Sequence, residues 1–168
     1  GGSLLQKLDS IEPDDRIVLE ISSFQLEWLD ELSWSPSIAA ILNIMPNHLD
    51  RPGPLERYRK AKAAILDHQT TEDTAVLVSG DPGSASMQSR VKGKLLMAGT
   101  SLDGDGVTIE DGWIVERTKD GVTGLCNSAE LLVPGRHNVL NALAAASCAV
   151  ELGVDSKSIR RGLTMFKG

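Results

Sequence analysis

Long apolar runs are missing from this 168-residue sequence. No stretch approaches the roughly 20 consecutive apolar residues that a membrane-spanning helix needs. The opening GGSLLQKLDS has neither a basic start nor a long apolar centre, so it does not read as a signal peptide. An excess of positive charge is missing as well. Net charge is −6, and basic residues gather only in the scattered arginines and lysines of 57–62. Sequence-independent nucleic-acid binding needs a positive footprint, so that class is disfavoured. Cysteine is scarce: Cys126 and Cys148 stand far apart without CxxC spacing. They read as reduced, unpaired thiols, with Cys148 in a helix core. His48, His68 and His137 form no HxxxH pair. His68, between Asp67 and Gln69 beyond a helix end, reads as a solvated loop histidine. No internal repeat or low-complexity linker is present.

What remains is ordinary globular composition, 41% hydrophobic and 24% charged, enough for one domain with a real core. The first two thirds alternate between two textures. RIVLEI (16–21), SIAAILNI (37–44), AVLVS (75–79) and KLLMAG (94–99) are short apolar runs of buried-strand length. Between them, SFQLEWLDEL predicts a helix of two to three turns, and PLERYRKAKAAIL (54–66) predicts a longer one. Pro54 suits the first helical position and Glu56 the positive end of the dipole. Strands alternating with helices argue for a parallel sheet covered on both faces. After residue 100, Asp111-Gly112 and Asp120-Gly121 separate short alternating strands, which predicts a small antiparallel meander. An alanine-rich helix, HNVLNALAAASCAVELG, stops at Gly153, and SKSIRRGLTMF closes the chain as a last helix. The fold class is therefore α/β: a mostly parallel sheet flanked by helices, with an antiparallel β meander.

Several polar residues do not suit a plain core. Glu20 interrupts an apolar run, where an unpartnered buried carboxylate costs several kcal/mol. Either it lies at a strand end in solvent, or a metal ion or basic group compensates it. His48 follows the next strand. Ligands of open α/β sheets bind outside the carboxyl ends of strands, so neighbouring strands 16–21 and 37–44 would set Glu20 and His48 over one crevice. Lys62 falls inside the apolar stripe of its helix: counted from Leu55, Tyr58 lies at about 300°, Ile65 at about 280°, Leu66 at about 20° and Lys62 at about 340°. A lysine there either snorkels to water or is partly desolvated. A neutral amine can add carbon dioxide and become a carbamate, which converts a cation into a bidentate oxygen ligand. Asn138 and Asn141 are three apart on one helical face. Asn138 is either an N-cap, or the two amides read the edge of a bound base.

Four stretches, LEISSFQLE (19–27), NIMPNHLDRPG (43–53), YRKAK (58–62) and GRHNVLNALAA (135–145), resemble in order and spacing the Mur ligase family. The resemblance runs over the whole chain, and SSFQLE with PNHLDR points to the branch that adds D-glutamate to UDP-N-acetylmuramoyl-L-alanine. It implies a cytoplasmic, ATP-dependent amide ligase of peptidoglycan synthesis working through an acyl phosphate, with Mg²⁺ as cofactor and ATP as a substrate. It implies that residues 1–168 are a fragment of the central ATPase domain, without the N-terminal UDP-substrate domain or the C-terminal domain. By the same resemblance, Glu20, His48 and Lys62 are metal ligands, Lys62 as a carbamate, and His48 and Lys62 serve catalysis. Ser22 and Gln25 become substrate contacts, and Asn138 and Asn141 lie near the adenine.

The chain departs from the family pattern in three places. Arg51-Pro52-Gly53 stands where the family has Arg-His-Gly, and Ser79-Gly80-Asp81-Pro82 replaces an Asn-containing turn. No GxxGK[ST] run is present to cradle phosphates. The isolated chain is therefore expected not to turn over, and a sheet edge bared by a missing first strand is expected to promote oligomers or aggregation. Two other readings stand beside this one: another amino-acid ligase of the superfamily, and a non-catalytic α/β binding or scaffolding module that kept the core.

Overall fold

The computed structural model describes residues 4–44 and 52–168. Six strands form one sheet in simple chain order: β1 (Ile38–Ile41), β2 (Thr74–Val78), β3 (Lys94–Ala98), β4 (Gly106–Glu110), β5 (Trp113–Thr118) and β6 (Gly121–Asn127). β1 to β4 run parallel, and β4, β5 and β6 form the expected antiparallel meander. β2 is buried at every position, which explains its unbroken apolar sequence TAVLV: both of its faces are covered. Between β4 and β5 the chain reverses through Asp111 (φ 48°) and Gly112 (φ 80°). Two successive left-handed residues make the hairpin turn whose twist matches the strands, the geometry that an Asp-Gly pair favours.

Successive side chains of β2 point to opposite faces and meet different helices. Val76 and Val78 join Ala98, Val107, Ile114, Leu143, Ala146 and Ile159 in one cluster, built on α4 (Arg136–Glu151) and α5 (Ser156–Met165). Ala75 and Leu77 join Ala39, Ile41, Ala63, Leu66 and Met87 in the other, built on α2 (Pro52–Asp67). A short helix, α3 (Pro82–Ala85), follows β2 directly. α4 runs antiparallel to β2. The Leu140 side chain near its start lies against Gly80, just beyond the end of β2. Glu151 at its end accepts a hydrogen bond from Thr74 Oγ1 at 2.9 Å, where β2 begins. Cys126 is fully buried, and Cys148 is half-buried on α4 against the first cluster. Burial raises both thiols above the usual cysteine range.

One strand expectation is corrected. Residues 16–21 form no strand, and no described residue pairs with them. An apolar run becomes a strand only when a neighbour supplies the ladder and the cross-strand contacts. Without one, Val18 is 89% exposed and Ile17 and Leu19 are exposed beside it. The chain then enters α1 (Ser23–Glu31) through a capping box. The Gln25 N–H donates to Ser22 Oγ at 3.3 Å, and the Ser22 N–H donates to Gln25 Oε1 at 2.8 Å.

α1 docks on α2 through polar bridges. Arg57 donates from Nε and Nη2 to both carboxylate oxygens of Glu27, at 2.9 and 3.0 Å. His68 is likewise corrected. It is not a solvated loop residue: its Nε2 lies 2.8 Å from Asp30 Oδ1, and its backbone N–H donates to Ser35 Oγ. Its partners stand more than thirty residues away in sequence, beyond the reach of a local reading.

Two stability outcomes follow from these contacts. Leu143→Ala opens the fully buried centre of the first cluster and lowers unfolding free energy in urea by about 2–5 kcal/mol. Ser22→Ala removes one half of the capping box and lowers it by about 1 kcal/mol in the same titration.

Candidate functional site

The carboxyl ends of the parallel strands, the preferred place for a ligand in an open α/β sheet, are flanked here by α3 and the start of α4. A cavity of about 490 Å³ lies along the groove between α4 and α5 and reaches Leu42, just beyond the end of β1. Leu42, just beyond β1, and Asn138 and Asn141, from the first turns of α4, mark one end; Ala145, Ile159 and Phe166 are among its apolar walls. Volume and lining, mostly apolar with a few convergent polar groups, are those of a small-molecule site.

The α4 helix begins at Gly135, whose φ of 101° is accessible chiefly to glycine. Asn138 is therefore not the N-cap, which corrects one of its two readings. Its Nδ2 donates to the Pro134 carbonyl at 2.7 Å, which fixes the amide plane while its Oδ1 has no bond to any described residue. Asn141 is exposed, lines the same cavity, and makes no side-chain hydrogen bond to a described residue. The two amides thus stand together, as the three-residue spacing requires, with donor and acceptor groups available to a planar ligand.

Alanine is what makes the cavity. Ala142, Ala145, Ala146 and Ala149 recur at helical spacing along α4 and leave space that longer side chains would fill. The sequence shows this run as an alanine-rich helix. The missing signal is what α5 sets opposite it: Ser158, Ile159 and Gly162.

The remaining candidates divide. Lys62 is half-buried on α2, flanked by buried Ala61, Ala63 and Ala64, and its Nζ lies 5.9 Å from the centroid of the Tyr58 ring. No described carboxylate forms an ion pair with it. Tyr58 stands one helical turn away on the same face. Glu20 is exposed in the segment before α1. Residues 16–21 do not pair with β1, and His48 lies outside the described residues, as does the expected juxtaposition of Glu20 and His48. Among the described residues no three His, Cys, Asp or Glu side chains gather as a metal site. Ser22 and Gln25 come together, but on each other, in the capping box of α1.

Comparison with known proteins places this geometry. Residues 4–149 match the family model of the Mur ligase middle domain. Over its whole length the chain is 37% identical to the UDP-N-acetylmuramoylalanine–D-glutamate ligase of Pelotomaculum thermopropionicum and 37% identical to that of Thermoanaerobacter sp.. It spans 37% of the length of each of these two relatives. Among solved structures, a crystal structure of MurF from Acinetobacter baumannii superimposes with a TM-score of 0.64 at 27% identity, covering 83% of this chain and 31% of that one. The match spans the parallel sheet, the meander and most of α4, and on that ground the chain belongs to the Mur ligase family as a middle domain.

Proposed function

We propose that this chain is the nucleotide-binding core of an ATP-dependent ligase that joins D-glutamate to UDP-N-acetylmuramoyl-L-alanine during peptidoglycan synthesis. The observation that carries the reading is whole-chain identity of 37% to relatives bearing that name. The amide-lined cavity between α4 and α5 supports it.

In this reading the base of ATP enters the cavity, its flat faces against the α4 alanines and its polar edge on Asn138 and Asn141. The nucleotide is thereby oriented with its phosphates toward the strand ends. A glycine-rich phosphate loop, which these 168 residues do not contain, is contributed by a further part of the ligase. The alanyl carboxylate attacks the γ-phosphorus and ADP leaves; the D-glutamate amine then attacks the acyl carbonyl, and phosphate leaves as the amide forms. Ser22 and Gln25 sit on the substrate side, at the start of α1. ATP and a UDP-linked substrate place the reaction in the cytoplasm, and no described helix is long and apolar enough to cross a membrane.

Glu20, His48 and Lys62 form the proposed magnesium set. The donor chemistry fits: Glu20 is an exposed carboxylate, and Lys62 as a carbamate adds two more oxygens, the atoms magnesium prefers. Magnesium, when bound, offsets the negative charge of the γ-phosphate and of the acyl phosphate. Lys62 is half-buried, with its Nζ 5.9 Å from the Tyr58 ring centroid.

Lys62→Ala in the intact protein carrying this chain lowers the rate of D-glutamate-dependent ADP release by about a hundredfold or more, with the protein still folded by circular dichroism. An unchanged rate would sink the ligase role of Lys62, and absence of ligation in the wild type would favour the scaffolding module. Asn141→Ala weakens ATP binding about two- to tenfold, the worth of one hydrogen bond, as read by calorimetry.

A further inference from the structure

Among the described residues that line the cavity, Phe166 carries the only aromatic ring. It is the first residue beyond α5, where the backbone has left the helical region (φ −73°, ψ 125°). Residues 152–155 join α4 to α5, and the second helix runs back along the first. The chain end records the return: a Cβ on Gly168 would lie 3.6 Å from Val133 Cγ1, just before Gly135, where α4 begins. Phe166 therefore stands at the end of the groove marked by Asn138 and Asn141, and continues the wall that α5 sets opposite the α4 alanines.

The ring has no place in the core. Leu163, one turn earlier, packs against the first cluster, but Phe166 belongs to neither cluster and is 59% exposed. A ring left in water at the mouth of an apolar cavity is surface that a flat ligand would cover. The amides beside it offer something different. Asn138 Nδ2 is spent on the Pro134 carbonyl, so what Asn138 holds out to a ligand is the acceptor Oδ1. Adenine answers an acceptor with its amino group, whereas guanine carries a second acceptor, a carbonyl oxygen, at the same ring position. An aromatic face draws no such distinction, because every base has a π-face.

We propose that Phe166 stacks on the base of the bound nucleotide: it holds the base by its face whatever its identity, and leaves the choice of adenine to Asn138. This rests on the ligase reading, in which the cavity takes the base of ATP. Stacking a base on an aromatic side chain changes affinity by about 5- to 150-fold, as judged by alanine substitution. The ring and the amide therefore predict different patterns across nucleotides. Loss of the ring weakens all purines alike, whereas loss of the amide weakens the one it recognises.

The test is calorimetry on the intact protein carrying this chain, with ATP or GTP and without the UDP-linked substrate, so that no phosphoryl transfer follows. Phe166→Ala is expected to weaken ATP and GTP by the same factor, about fivefold or more, so that their ratio stays within about twofold. Phe166→Tyr keeps the ring and holds both affinities within about twofold of wild type. Phe166→Leu keeps apolar bulk without a ring and stays about threefold or more weaker. Asn138→Ala weakens ATP more than GTP and narrows their ratio. If Asn138→Ala weakens ATP but Phe166→Ala does not, stacking is overturned while the cavity remains the base site. Full recovery in Phe166→Leu, or loss in Phe166→Tyr equal to that in Phe166→Ala, also overturns it. If neither Phe166→Ala nor Asn138→Ala changes ATP affinity, the base binds elsewhere, and the reading of the cavity falls together with the proposal.

Discussion

Burial of β2 on both sides is the constraint from which the rest of the structure follows. Five consecutive residues with no outward face can exist only between two layers, so α2 must cover Ala75 and Leu77 while α4 covers Val76 and Val78. The partner strands β1 and β3 then take their register from β2. Removing either layer would leave a row of apolar side chains in water, at roughly 25 cal/mol for each square ångström uncovered. Along β1 and β2 polar groups are thereby confined to the strand ends.

The two ends of β2 are treated differently. At its start, Gln69, Thr74, Glu151 and Lys94 tie backbone and helix together: Gln69 donates to the Pro36 and Thr74 carbonyls, and Lys94 Nζ lies 2.7 Å from Glu151. Those groups are spent largely on one another and on backbone. At its finish, Asn138 and Asn141 leave amide groups unspent beside an apolar cavity. A polar network that closes on itself stabilises, whereas one that stays partly open can bind.

Much of this was legible in the residues. Short continuous apolar runs locate β1, β2 and β3, period-3.6 patterning locates the long helices, and Asp111-Gly112 marks its hairpin. Most of the failures share a cause, a partner remote in sequence. RIVLEI has strand composition, but composition cannot supply the neighbour that makes a strand. His68 looks like a loop residue until Asp30 is folded against it. The cavity belongs to neither α4 nor α5 alone. Ser22 and Gln25 show the opposite case, a local signal, S-x-x-Q before an apolar run, that states a cap outright. Lys62 was visible as a charge out of place, although the ring of Tyr58 near it emerges only when side chains are positioned.

The chain-order sequence of strands has a kinetic meaning. Each strand pairs with the one made just before it, with no later strand inserted between earlier neighbours. Ordering entropy is therefore met in small loop closures rather than a few long ones. As the polypeptide emerges from the ribosome, β1 and α2 precede β2, and each new strand finds an edge already waiting. The sheet grows by addition at one side, as a wall is laid course by course. α4, which seals the face holding Val76 and Val78, follows all six described strands in the chain, so the cavity beside it takes shape only after the sheet it lies on.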